Sequence, residues 1–255
     1  MKIITYNLNG IRSALKKGLA QWLEKVNPDI VALQELKAKE EQINNQIFKD
    51  LGYKAFWFPA QKPGYSGVGI LTKIPPEYIS FGIGNKFFDS EGRVIRADYK
   101  DFSLINIYIP SGSSGEKRQT LKMQFLKLFR NYIKNIRKQQ PKLIISGDFN
   151  ICRLWIDIHN PQGHVNTSGF LPEEREWFAK LIENDTLIDT FRVFNSKPEQ
   201  YTWWSFRQRS RERNKGWRID YHLITAELKN NLKNTQILKD IVHSDHSPVL
   251  LEIEF

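Results

Sequence analysis

Short apolar runs rich in β-branched residues recur along the chain, and no other feature restricts its fold so strongly. They read KIITYNL, DIVALQE, GVGILTK, RVIRADY, SLINIYIP, KLIISGDF, WRIDYHLIT and SPVLLEIEF, each of strand length. Helical patterns separate some of them. After Glu116, the residues Leu121, Phe125, Leu128, Phe129, Tyr132, Ile133 and Ile136 return every three or four positions and mark one helix face. A second helix is predicted from Pro172. Glu173 and Glu174 stand in its first turn, where the helix dipole favours anions, and Trp177, Phe178 and Leu181 form its buried face. RVIRADY and SLINIYIP follow one another across Lys100 and Asp101, which implies an antiparallel hairpin. Helical insertions elsewhere imply layers over sheet faces, so a mixed-sheet sandwich flanked by helices is expected.

With 255 residues, 40% of them hydrophobic, the chain can bury a large core. No Pro/Gly/Ser-rich linker, low-complexity tract or short tandem repeat divides it, which favours one domain spanning residues 1–255. Lys and Arg number 38 against 28 Asp and Glu, and the net charge of +10 favours a polyanionic partner. The opening MKIITYNLNG lacks the apolar core of a secretion signal, and no run is long enough to span a bilayer, so a cytosolic protein with no membrane partner is expected. Cys152 is the only cysteine, which rules out an intramolecular disulfide or a cysteine-based zinc site and suggests a small buried hydrophobe.

The polar residues at the ends of the runs carry the chemistry. TYNLNG ends on Asn7 and Asn9, VALQE on Glu35, and NIYIP carries Tyr108. IISGDFN ends on Asp148 and Asn150, GWRIDYHLI carries Asp220, and SDHSPV opens on Asp245 and His246. Singly, each is an ordinary turn former or rim residue. Together they supply carboxylates for a hard cation, an imidazole, amides and a phenol. Phosphodiester hydrolysis needs such a set: an activated water, neutralised non-bridging oxygens and a stabilised leaving alkoxide. Glu35 with a carboxamide can hold Mg²⁺, His246 paired with a carboxylate can act on the phosphate, and Asp148 can orient or deprotonate water.

TYNLNGIR, LQELKA, GYSGVGILTK, IYIPSG, SGDFNI, TWWSFR, GWRIDY and SDHSPV also stand here in the order seen in the exonuclease III family of AP endonucleases, and the chain resembles that family from Thr5 to its last strand. The resemblance implies a four-layered α/β sandwich of the DNase I-like kind, two mixed β-sheets face to face with helices outside. It also implies Mg²⁺-dependent cleavage on the 5′ side of abasic sites, with Mn²⁺ as a substitute. A 3′–5′ exonuclease activity on double-stranded DNA, by a monomer, belongs to the same expectation. By motif, Asn7, Glu35 and Asp245 correspond to the metal end and Tyr108 to a phosphate-contacting phenol. Asp148 and Asn150 correspond to a water-orienting and phosphate-holding pair, and Asp220 and His246 to the carboxylate–imidazole couple. Asp148 is favoured as the base, with His246 the alternative. Arg12, Asn160, His164, Arg207 and Trp217 correspond to DNA contacts. Arg207, Arg209, Arg211 and Arg213 alternate in a segment that matches the family's duplex-probing loop, and they read as phosphate partners. The sequence departs from the family after GDFN, where Leu154 and Trp155 stand, and Trp155 is expected to pack against an adjacent helix. Fold relatives acting on other phosphoesters, or a silent DNA-binding module, are the alternative readings.

Overall fold

The computed structural model describes residues Met1–Phe255. Its first sheet contains β1 (Lys2–Asn7), β2 (Ile30–Gln34), β3 (Lys54–Phe58) and β4 (Val68–Thr72) from the first part of the chain. The second contains β5 (Tyr78–Phe81), β6 (Val94–Asp98), β7 (Ser103–Tyr108), β8 (Leu143–Asp148), β9 (Leu187–Asp189) and β10 (Asp220–Thr225). The chain then returns to the first sheet with β11 (Leu232–Ile237) and β12 (Val249–Ile253). The orders are β11-β12-β1-β2-β4-β3 and β5-β6-β7-β8-β10-β9. Each sheet has one parallel pair at its centre, β1 with β2 and β7 with β8, and antiparallel neighbours elsewhere.

A parallel pair needs a crossover, and helices provide both. Helices α1 (Ile11–Lys16) and α2 (Leu19–Val26) join β1 to β2, and with α3 (Asn45–Asp50) they cover the outer face of the first sheet. Trp22, Leu23 and Phe48 pack there on Tyr6, Leu33 and Leu71. After the short α4 (Lys86–Asp89), α5 (Glu116–Arg137) joins β7 to β8, and α6 (Pro172–Glu183) lies beside it. Phe125, Phe129, Trp177 and Phe178 bury against Ile105, Ile145 and Tyr221. The short α7 (Thr190–Phe194) packs near β10 and β11. Between the sheets, Ile3, Ile30, Ile70, Ile95, Leu104, Ile144, Ile224 and Leu251 form the inner core. The four layers expected from the sequence are present, and both anticipated long helices lie where the periodicity put them.

The strands absent from the sequence reading are β3, β5, β9 and β11, which are the four sheet edges. An interior strand is covered on both faces and reads as an unbroken apolar run, as in the fully buried IVALQ of β2. Edge strands keep polar and exposed positions, as in LKNTQI of β11, and lose that signal.

Two polar ties cross the inner core. Asn106 of β7 donates to the carbonyls of Leu33 (3.0 Å) and Gly69 (2.8 Å) in the opposite sheet and accepts from Gln34 at 2.7 Å. His222 of β10 bonds Ser146 Oγ at 2.7 Å and the Val249 carbonyl at 2.9 Å, and burial lowers its pKa to about 4, so the ring is neutral. These bonds fix the spacing of the sheets beneath the rim where the functional residues stand. Asn106→Leu keeps the side-chain size but leaves two buried carbonyls unpaired. At about 1–3 kcal/mol for each orphaned group, it should lower the urea-unfolding free energy by about 2–6 kcal/mol. A loss below about 1 kcal/mol would show that the tie is not needed.

Candidate active site

The carboxyl ends of β1, β2, β7 and β8 meet on one rim of the sandwich. Asn7 closes β1 and Glu35 follows β2, while Tyr108 and Asp148 close β7 and β8. Antiparallel pairing sets Asp220, the first residue of β10, directly opposite Asp148. His246 precedes β12 and is tied to Trp203 by an isolated bridge.

Asn7 joins the two sheets. Its Nδ2 donates to Glu35 Oε1 at 2.9 Å and to Asp148 Oδ2 at 2.8 Å, while its Oδ1 accepts from the Asn9 backbone at 3.0 Å. In this arrangement Asn7 is a donor to both carboxylates. Tyr108 donates its hydroxyl to Glu35 Oε1 at 2.8 Å. Glu35 adopts a left-handed backbone (φ 52°), which is costly for a residue with an unbranched side chain of this size and marks a held position. Burial would raise the Glu35 pKa, but the Lys37 ammonium, Asn7 and His246 outweigh it and keep the carboxyl below its usual value.

Lys37 Nζ lies 2.7 Å from Glu35 Oε2 and also bonds Asn9 Oδ1. Asn9 in turn donates to Asp245 Oδ1 at 2.9 Å, and Trp203 Nε1 donates to Asp245 Oδ2 at 3.0 Å. Two oxygens therefore converge on a positive charge, so the donor set suits a hard cation. Glu35, Asp148 and His246 also offer ligand atoms within 4.8 Å of one another. Asp245 lies outside that group, linked to Glu35 only through Asn9 and Lys37.

Asp148 accepts from the Asn150 backbone at 2.8 Å on Oδ1. Asn150 is left-handed (φ 51°), as Asn tolerates, and its own amide donates to the Ile109 carbonyl at 2.9 Å. Burial, reinforced by Asp220, pushes Asp148 up to about 8 against the pull of His246. Asp220 holds His246 Nδ1 at 2.9 Å, leaving Nε2 without a protein partner. Burial opposes charging of the ring, yet Asp220, Asp148 and Asp245 raise its pKa to about 10, so it is an imidazolium at neutral pH.

A cavity of about 310 Å³ opens over these groups, walled by Trp203, Trp217, Ile219 and the 167–169 segment. Trp203 and Trp217 meet edge to face at 6.1 Å, and His164 stands edge-on to Trp217 at 5.2 Å. Asn160, His164, Arg207 and Trp217 line one adjoining cleft, and Arg12, Lys16 and Lys37 line another. Arg211 is a correction to the reading of four equivalent phosphate partners: it turns inward and bonds backbone carbonyls of the His246 segment, because its neighbours there offer unpaired acceptors. Trp155 does pack edge to face on Phe170 at 5.5 Å, with Arg175 of α6 over its ring, but remains 46% exposed. Cys152 is fully buried, as expected.

Sequence reasoning missed Trp203, Ile219 and Lys37. TWWSFR offered two tryptophans, and nothing in composition separates Trp203, on the cavity wall, from Trp204, buried with its Nε1 on Asn214. Lys37 had a signal in its spacing of two from Glu35, at another left-handed position.

A sandwich rim that carries carboxylates, a charged imidazole, a phenol and a cation-sized oxygen set defines a phosphoester hydrolase. Comparison with known proteins gives the same class. Residues 4–246 match the Endonuclease/Exonuclease/phosphatase family. The chain is 35% identical over 255 residues to an exodeoxyribonuclease of Bacillus subtilis, covering 99% of each protein. It is 36% identical over 254 residues to the DNA repair nuclease APEX1 of Danio rerio, covering 98% of this chain and 81% of that one. Among solved structures it resembles the 3′ phosphatase NExo from Neisseria bound to a product DNA hairpin (TM-score 0.92, 28% identity). It also resembles an AP endonuclease from Archaeoglobus fulgidus (TM-score 0.91, 28% identity), and both matches cover 100% of both chains. The chain belongs to the endonuclease/exonuclease/phosphatase family and is a hydrolytic nuclease. No helix is long and apolar enough to cross a membrane.

The charges predict a pH profile. A base role for Asp148 would require it to lose its proton, and a donor role for His246 would require it to keep its own. Asp220 raises both pKa values, so Asp220→Asn should move both limbs of the kcat/KM profile toward acid, the alkaline limb by more than about one pH unit. Phosphodiester hydrolysis followed against pH at saturating divalent cation checks this, and unmoved limbs would reject the pairing.

Proposed function

We propose that the protein is a Mg²⁺-dependent DNA repair phosphodiesterase that cleaves on the 5′ side of abasic sites and carries 3′–5′ exonuclease and 3′-end-cleaning activity. The observation that carries this reading is the placement of Asp148 and of His246, itself held by Asp220, in a cavity walled by two tryptophans. A sugar without its base is narrow enough to enter between aromatic walls, and a phosphate on its 5′ side would then face the catalytic groups. The basic clefts on either side suit the flanking duplex backbone.

In this mechanism Asp148, held by Asn7 and by the Asn150 backbone, orients a water and takes its proton. His246 presents Nε2–H to a phosphoryl oxygen while Asp220 fixes its ring and its charge. Tyr108 has its hydroxyl pKa pushed well up by burial and by Glu35, so it stays protonated and donates. Glu35, with Asn9 and Asp245, would hold Mg²⁺ after Lys37 swings aside. The cation supplies charge neutralisation on the phosphate and stabilisation of the leaving 3′ oxygen.

Asp148→Asn should leave duplex binding nearly intact and lower single-turnover incision of an abasic duplex by at least about 10²-fold. Near-wild-type incision would remove Asp148 from the role of base. Glu35→Gln should raise the Mg²⁺ concentration for half-maximal rate about tenfold or more, because a neutral amide binds a hard cation less well. An unchanged titration would place the metal elsewhere. An undamaged duplex and a phosphoinositide, tested beside the abasic duplex, separate this function from those of the fold relatives.

A further inference from the structure

Arg207, Arg209 and Arg213 face solvent, as a phosphate-binding loop requires. Arg211 does not. Its guanidinium lies over the Trp204 ring at 4.7 Å and donates to the carbonyls of Ser244 (3.0 Å), His246 (3.5 Å), Lys239 (2.9 Å) and Ile241 (2.6 Å), and to Ser247 Oγ (2.6 Å). Every acceptor belongs to residues 239–247, which form no helix or strand and pair their backbone at the single bridge of His246 with Trp203 and its flanking bonds. No carboxylate pairs with Arg211, so carbonyl dipoles balance its charge. Two of those carbonyls, at Ser244 and His246, bracket Asp245.

We infer that Arg211 is a positioning residue: it fastens the duplex-facing loop to the catalytic segment and holds the backbone that aims Asp245 and His246. The inference rests on the functional reading above for its rate test, but its structural core does not need it. A planar guanidinium can serve several carbonyls in fixed directions. A lysine ammonium, three donors on one atom at the end of a flexible stem, cannot span the same set. Losing these bonds leaves part-buried carbonyls unpaired and lets the segment shift. Displacement of a catalytic group by even about 1 Å costs up to about 10²-fold in rate.

The test compares Arg211→Ala and Arg211→Lys with the wild-type protein and with Arg207→Ala. Single-turnover incision of an abasic duplex should fall at least about tenfold in both Arg211 variants. Duplex Kd should change by less than about threefold, and the slope of log affinity against log salt should stay constant. Millimolar guanidinium, against a sodium chloride control of equal ionic strength, should restore rate to Arg211→Ala and not to Asp148→Asn. Independently of substrate, the downfield proton resonance of His246 Nδ1–H in the bond to Asp220 should shift or broaden in the Arg211 variants and persist in Arg207→Ala. A slope flattened by about 0.9 with unchanged single-turnover rate would make Arg211 a phosphate contact and overturn the inference. An unmoved His246 resonance would overturn it as well, including where Arg211→Ala fails to fold and Arg211→Lys alone is read. If the wild-type protein does not incise the abasic duplex but the resonance still moves, the functional reading fails and the positioning role stands.

Discussion

One amide nitrogen, Nδ2 of Asn7, stands between carboxylates that belong to different sheets, and the site depends on it. Glu35 follows a strand of the first sheet and Asp148 ends a strand of the second. Brought together at a buried rim, two such anions repel and lose hydration, which would drive one to take up a proton or drive the sheets apart. The Asn7 bonds to both carboxylates compensate each without adding charge. Tyr108 repeats the device in the other direction, from the second sheet to Glu35. Below them Asn106 and His222 set the distance across which these short side chains must reach. A displacement of the sheets along their interface would break the bridge first, so core packing and site geometry are the same constraint.

The charges follow from that geometry. Glu35 sits beside an ammonium and keeps its negative charge, whereas Asp148 is fully enclosed, faces Asp220 and holds its proton up to about 8. Two carboxylates of similar intrinsic acidity are thereby separated into one that stays charged and one that titrates near neutrality. The imidazolium of His246 lies within reach of both, and its charge offsets the acidic cluster until a phosphate arrives. Lys37 brings a further positive charge to Glu35 and Asn9.

What the sequence made legible, and what it hid, divides along burial. Interior strands are covered by helices on one side and by the opposite sheet on the other, so their composition is forced and their ends are easy to find. Because strand ends are easy to find, the polar residues there, Asn7, Glu35, Tyr108, Asp148, Asp220 and His246, were legible in the sequence, and the structure brings them together on one rim. Edge strands were not, since half their residues answer to solvent. Direction is a second kind of hidden information: Arg211 looks the same in sequence as Arg207 and Arg209, yet it points into the protein because unpaired carbonyls lie there. Trp203 and Trp204 pose the same problem in aromatic form, for the alternation that sends one to the cavity and the other to the core starts from a bridge with Trp217 that no local pattern encodes.

A buried ion pair links catalysis to the shape of the cavity. Lys122 and Glu174 are fully buried 2.6 Å apart, an arrangement whose desolvation cost is rarely recovered by attraction alone. Their remaining bonds give the pair its use. Lys122 also donates to the Asn150 carbonyl at 2.8 Å, at the left-handed turn that presents the Asn150 N–H to Asp148. Glu174 accepts from the Gly169 and Leu171 backbones at 2.6 and 3.0 Å and so fixes the segment that faces Trp217. That segment lies so close that a Cβ at Gly169 would sit 2.8 Å from the indole, and its φ of +99° is one that glycine alone adopts without strain. The cavity wall opposite Trp217 is therefore backbone, at the closest approach a chain permits. Its distance from the tryptophan is set by an ion pair that also holds Asn150. Replacing the pair with apolar residues of equal volume could satisfy the core but would release both the turn beside Asp148 and the wall of the cavity, which is the physical reason for charge at this depth.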